Sequence, residues 1–130
     1  MDTETFVRSF LAAIEQDRLI GHEDDWYTTD AEQIEWPNRL APNGARRTLS
    51  ELKDAGLRGR AIIDTQRYEV MTLLSEGGRV AVEAIFRATF KIDVAGLRKG
   101  ETMQANFAMF FELQGGKIRR HRTYDCFQPW

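Results

Sequence analysis

Apolar side chains recur every fourth position near the N-terminus, at Phe6, Phe10 and Ile14, with Leu11 and Ala13 beside them. That spacing predicts one amphipathic helix, with Thr3 or Thr5 placed to cap it and Gly21 to end it. The acidic segment His22-Glu23-Asp24-Asp25 reads as a solvated turn leading into Trp26-Tyr27 and the turn-like Thr28-Thr29-Asp30. Gln33-Ile34-Glu35-Trp36 alternates polar and apolar until Pro37-Asn38 stops it, which predicts a short strand. Pro42, Asn43 and Gly44 make 40–47 a loop. Thr48, with Glu51 three residues on, has the capping-box pattern and opens a second helix that Gly56 and Gly59 end.

The period then changes from about four to two. Residues 64–75 read as a strand, with Glu76-Gly77-Gly78 as its turn. In 79–93 the even positions Val80, Val82, Ala84, Phe86, Ala88 and Phe90 form one apolar face opposite Glu83, Arg87 and Lys91. In 101–114 the odd positions Phe107, Met109, Phe111 and Leu113 do the same. Gly115-Gly116 signals a hairpin into a last strand over 117–127. Helices first and long antiparallel strands afterwards predict an α+β fold, with 1–130 as a single domain.

Composition narrows the function. The 130 residues are 42% apolar and 29% charged with a net charge of −2, and the basic residues form no run longer than a pair. Nucleic acid is not the expected partner, since its binders concentrate basic charge on one face. No apolar run approaches the ~20 residues that span a bilayer, so no membrane partner is expected. The N-terminus is acidic and lacks the pattern of a signal peptide. Cys126 is the only cysteine, which excludes an internal disulfide and points to a reducing, cytoplasmic setting; it is expected to be buried and inert. Eight Phe, three Trp and three Tyr supply a core with aromatic surface to spare for a pocket or an interface.

A helix, a short strand ending in Trp36-Pro37, a capped helix and three long strands follow in order. To these add the hairpin Phe110-Phe111-Glu112-Leu113-Gln114-Gly115-Gly116-Lys117-Ile118 and the closing Tyr124-Asp125. This layout resembles the nuclear transport factor 2-like superfamily, and within it the SnoaL-like polyketide cyclases and ketosteroid isomerase-like proteins. The resemblance implies a curved, mainly antiparallel sheet wrapped around the N-terminal helices as a cone. It also implies a homodimer through the sheet's outer face. Ketosteroid isomerases carry a base aspartate before the proline, a position that falls here at Trp36, and a protonated one that falls at Met109. The Asp-Arg-Asp relay of limonene epoxide hydrolase-like members falls near Ala84, Phe86 and Thr123. Neither apparatus is present in these residue types.

His121, Thr123 and Asp125 share a parity, neighbours being roughly 6.8 Å apart along the strand. The resemblance implies that this parity faces the pocket and that the acid–base residue lies on this strand. His121 is then the candidate general acid or base, and Asp125 either orients a ligand or moves a proton itself. The structural alternative makes His121 a satisfied sheet histidine and Asp125 a cap. Arg119 either meets an anionic substrate group at the pocket mouth or is solvated. Arg120 and Arg122 face outward toward Glu83 or Glu112. Tyr27, Trp36, Tyr68, Phe86, Phe107, Met109 and Phe111 are expected to line the pocket, an aromatic set that also suits a plain core. Tyr27 either offers its hydroxyl to a substrate or keeps a local partner. His22–Asp25 has metal-binding residue types without the spacing of a site, so no metal is expected, and no motif calls for a cofactor. Three functions follow: a cofactor-independent isomerase, cyclase or dehydratase on a small hydrophobic oxygenated molecule; a non-catalytic binder of such a molecule; or a protein-association module.

Overall fold

In a computed structural model that describes residues 1–130, the chain runs through nine elements. These are α1 (Thr3–Glu15), α2 (Glu23–Trp26), β1 (Tyr27–Glu35), β2 (Ala45–Thr48), α3 (Leu49–Ile62), β3 (Ile63–Glu76), β4 (Arg79–Phe90), β5 (Thr102–Gln114) and β6 (Lys117–Phe127). The strands form one curved sheet in the order β2-β1-β6-β5-β4-β3, and β2 and β3 are its free edges. Only β1 and β6 run parallel; every other pairing is antiparallel. Extra residues at Met71 in β3 and Arg119 in β6 break the register. Bulges of this kind bend and twist a strand, which suits a sheet that must wrap around helices.

The alternation in β4 and β5 fixes which face is concave. Val80, Val82, Ala84, Phe86, Ala88 and Phe90 are all buried, as are Met103, Ala105, Met109 and Phe111 opposite them. Helix α1 lays Val7, Phe10, Leu11 and Ala13 on this face. Phe10 is the hub: its ring meets Trp26, Tyr27 and Phe111 edge-on, with centroids 5.7 to 5.8 Å apart. The core divides into a larger cluster around Phe10 and a smaller one of Phe86, Ala88, Phe90, Leu97 and Met103. Tyr68 and Phe107 pack against both.

Five expectations change at the level of elements, the first being that Thr28-Thr29-Asp30, read as a turn, lies in strand β1. Asp2, not Thr3 or Thr5, caps α1: its carboxylate accepts from the Thr5 N–H at 2.7 Å. The segment 22–25 is a one-turn helix rather than a solvated turn. Its Glu23 is buried, accepting from the Gly21 N–H at 2.9 Å. The 40–47 loop contains β2, which pairs with the end of β1. Gly44 sits at φ +65, and any Cβ there would come within 2.6 Å of the Glu35 carbonyl, so only glycine lets the chain turn back this tightly. Finally, α3 starts at the Thr48–Glu51 capping box as expected but passes through Gly56 and Gly59 to Ile62. Tertiary packing overrides glycine's low helix propensity, because the missing Cβ of Gly56 lets Ile20 approach the helix.

Candidate functional site

Between the concave face of the sheet and helices α1 and α3 lies a cavity of about 450 Å³, within the usual size of a small-molecule site. Phe10, Ile14, Tyr27, Tyr68, Phe107 and Met109 give it apolar walls. Gln33, Glu35, Arg47, His121, Thr123 and Asp125 bring polar groups to it from β1, β2 and β6.

His121 faces inward because of the bulge. Leu113 pairs with Ile118 and Glu112 with Arg120, so Arg119 is the extra residue. Ile118 and His121 are therefore both buried although their parities differ. The imidazole stacks on Phe111 at 4.3 Å and meets the Phe10 ring at 90°, and neither ring nitrogen has a hydrogen-bond partner in the protein. Burial, and secondarily the positive charge of Arg122, lowers its pKa to about 3. The ring is neutral across the physiological range, with one N–H to give and one lone pair to accept.

Asp125 has the opposite character. It accepts from the Thr123 hydroxyl at 2.5 Å. Burial raises its pKa to about 6; the Thr123 bond works against that rise and the charge of Glu35 adds to it. Tyr68 lies near enough for Asp125 and Glu15 to join burial in raising its pKa, and Tyr27 is raised by burial, Tyr68 and Glu23. Both phenols stay protonated at neutral pH. A carboxyl that exchanges its proton near neutrality thus shares a cavity with two phenols and a neutral imidazole.

Glu35, Gln33 and Arg47 were not singled out as site residues from the sequence. Arg47 on β2 donates to Gln33 Oε1 at 2.9 Å and Glu35 Oε1 at 3.0 Å, and Asn38 Nδ2 holds the other Glu35 oxygen at 2.8 Å. The register pairs Gln33 with His121 and Glu35 with Thr123, so the polar side of Gln33-Ile34-Glu35-Trp36 faces the cavity. The signal was in that alternation. It points the wrong way if apolar residues are assumed to face inward, because on β1 the concave side is the polar one.

Among the expected site residues, His121, Asp125, Thr123, Tyr27, Tyr68, Phe107 and Met109 all reach the cavity. Phe86 and Phe111 stand behind the wall: Phe86 stacks on Phe107 at 4.7 Å, and Phe111 backs His121. Trp36 does not reach it. The end of β1 turns its indole to the outer face, 38% exposed and stacked on Tyr124 at 5.8 Å. Arg119, displaced by its own bulge, pairs with Asp30 at 3.2 Å rather than facing the cavity mouth. Arg120 and Arg122 do meet Glu112, whereas Glu83 takes the Thr72 hydroxyl instead. Cys126 is exposed on the outer face, not buried. His22 Nδ1 lies 3.7 Å from an Asp25 carboxylate oxygen, both side chains exposed, and no other metal-ligating residue joins them.

A curved six-stranded sheet closed over by N-terminal helices, with a polar strand facing an aromatic cavity, defines the cone-shaped α+β class. Within it the chain belongs to the SnoaL-like domain family, of the nuclear transport factor 2-like superfamily, whose profile matches residues 7–121. The match includes His121 and stops short of Thr123 and Asp125. AclR of Streptomyces galilaeus, a proposed hydroxylase, is similar over 98% of this chain and 80% of its own, at 17% identity and a TM-score of 0.77. IdmH of Streptomyces antibioticus, a proposed polyketide cyclase, is similar over 96% and 92%, at 16% identity and 0.76. A SnoaL-like polyketide cyclase of Agrobacterium tumefaciens is similar over 96% and 91%, at 21% identity and 0.72. At these identities the likeness is one of fold. No curated protein sequence matches the chain.

Proposed function

We propose that this protein is a cofactor-independent enzyme of isomerase, cyclase or dehydratase type, acting by proton transfer on a small apolar oxygenated molecule held in the cavity. The observation that carries this reading is Asp125: a carboxyl poised near pH 6 inside an aromatic cavity, beside hydroxyl and imidazole groups that remain neutral. Above that pH the carboxylate takes a proton from carbon or oxygen of the substrate. Where the proton leaves carbon next to a carbonyl, charge develops on the carbonyl oxygen, and the Tyr68 phenol is the donor to stabilise it. His121 serves in this scheme as a neutral hydrogen-bonding anchor rather than as the proton carrier. The cyclase and hydroxylase names of the structural neighbours fit a reaction on an oxygenated carbon skeleton.

The second reading is a non-catalytic binder of the same kind of molecule. It is favoured by Trp36 and Met109 standing where ketosteroid isomerases are expected to carry their acids. The two separate in D2O. An enzyme incorporates deuterium next to the carbonyl of cyclic ketones, with a rate that rises through pH 6 and is lost in Asp125→Asn. A binder incorporates none above the solvent background.

Two further parts of the reading concern setting. We infer a homodimer through the convex face, where Trp36, Tyr124 and Phe110 form a continuous exposed aromatic patch. A cytoplasmic setting suits the lone exposed Cys126, and no helix is long and apolar enough to cross a membrane.

A further inference from the structure

The charges that reach the cavity are unequally partnered. Arg47 is held by Glu35 and Gln33. Arg60 places Nε and Nη2 on Asp17 Oδ1, each at 3.1 Å, and Lys91 donates to the Arg60 carbonyl at 3.3 Å. Arg47 and Arg60 thus each have a carboxylate partner, while Lys91, exposed, has only a backbone carbonyl. Carboxyl groups outnumber cations in the lining: Glu15, Asp17, Glu35, Asp64 and Asp125 stand against Arg47, Arg60 and Lys91. Two of the carboxyls have only neutral donors: Asp125 has the Thr123 hydroxyl, and Glu15 has the backbone N–H of Tyr68 at 2.7 Å.

An interior carboxylate without a cation is costly to keep charged, and a proton or a bound cation supplies what is missing. The surroundings favour the second. Asp125 lies across the β5–β6 pair from Phe107, whose ring is 6.1 Å from Tyr68, and Tyr68 is near enough to feel the Asp125 charge, so two aromatic rings neighbour the carboxyl. Aromatic faces beside a carboxylate attract an organic ammonium. A carboxylate or phosphate on a ligand would meet Glu15, Glu35 and Asp125, and the one lining cation without a carboxylate partner is the exposed Lys91.

We propose that the ligand of this cavity is an organic cation, a ring compound bearing a protonated or quaternary amine, seated with its nitrogen against Asp125 and the rings of Tyr68 and Phe107. This rests on the proposed function's placing of the substrate beside Asp125 and narrows that substrate to one whose apolar, oxygenated skeleton also carries a cationic nitrogen. The groups facing Asp125 are Glu15 from α1, Glu35 from β1, Arg47 from β2, Tyr68 from β3, and His121 and Thr123 from its own strand. Asp125 changes charge near pH 6.

The test is an amide-resonance titration with three probes of similar size: benzyltrimethylammonium, benzyl alcohol and phenylacetate. At pH 8 the cation should bind at least about tenfold more tightly than phenylacetate, and the advantage should shrink as the pH is lowered through 6. Asp125→Asn, with its amide spectrum confirming the fold, should abolish the advantage of the cation over phenylacetate. Phenylacetate binding as tightly as the cation, or a preference indifferent to Asp125→Asn, overturns the inference while benzyl alcohol still reports a working cavity. If no probe perturbs the cavity resonances, the inference and the cavity's assignment as the functional site fall together.

Discussion

His121 and Asp125 lie two turns of the pleat apart on one strand, and their surroundings drive them to opposite uses. Burial strips the imidazole between two phenyl rings of its charge, while burial, opposed by the Thr123 bond and aided by the Glu35 charge, keeps the proton on Asp125 to about pH 6. Folding thus raises the Asp125 pKa from 3.8 to about 6, and the folded state holds a proton that the unfolded chain has released. Stability accordingly falls as pH rises through that window and stays lower above it. Asp125→Asn should therefore be more stable than the parent at pH 8, by on the order of 1–3 kcal/mol, and lose that advantage at pH 4, as read by urea denaturation. Thr123→Val removes the donor that favours the charged carboxylate. The pH midpoint of ketone deuteration should then move above 6, with the plateau rate retained if Asp125 is the proton carrier. The shared parity of His121, Thr123 and Asp125 was legible in the chain. Their protonation was not, because it depends on what packs around them.

Helix α3 sets the roof of the cavity, and its two glycines differ in a way that stability measurements resolve. At Gly59 an added methyl would meet only Ile63 at 3.7 Å, ordinary contact, so Gly59→Ala should stabilise by roughly 0.5–1 kcal/mol. At Gly56 it would approach Ile20 at 3.2 Å, and Gly56→Ala should give no such gain. Thr48→Ala, which breaks the capping box, should cost about 1 kcal/mol in the same assay. The start of α3 was readable because a cap is a local hydrogen-bond pattern. Its end was not, since Gly56, which looks like a stop, is tolerated for the sake of Ile20, distant in sequence, and nothing in the structure calls for Gly59. The same limit hid β2, an edge strand of four residues that exists because β1 is there to pair with it.

Across the whole molecule the sheet has two faces with different tasks. The concave face is divided by Tyr68 and Phe107 into two packed clusters with the cavity alongside, while the convex face carries Trp36, Tyr124, Phe110, Leu74 and Met71 at 37 to 67% exposure. Exposed aromatic patches of this kind mark interaction surfaces. The double substitution Phe110→Glu and Tyr124→Asp should turn the proposed dimer into a monomer by light scattering and leave benzyl alcohol binding in the cavity intact. A parent protein that is already monomeric at high concentration removes the dimer from the account.

The chain by itself determined the α+β order, the capping box and the inward faces of β4 and β5, because each follows from a period or a hydrogen bond between near neighbours. Only the tertiary structure decided that the bulge at Arg119 turns that side chain out of register and toward Asp30, that Glu35 rather than Trp36 looks into the cavity, and that His121 is neutral while Asp125 titrates. These depend on register between strands far apart in sequence and on burial, which no local pattern encodes.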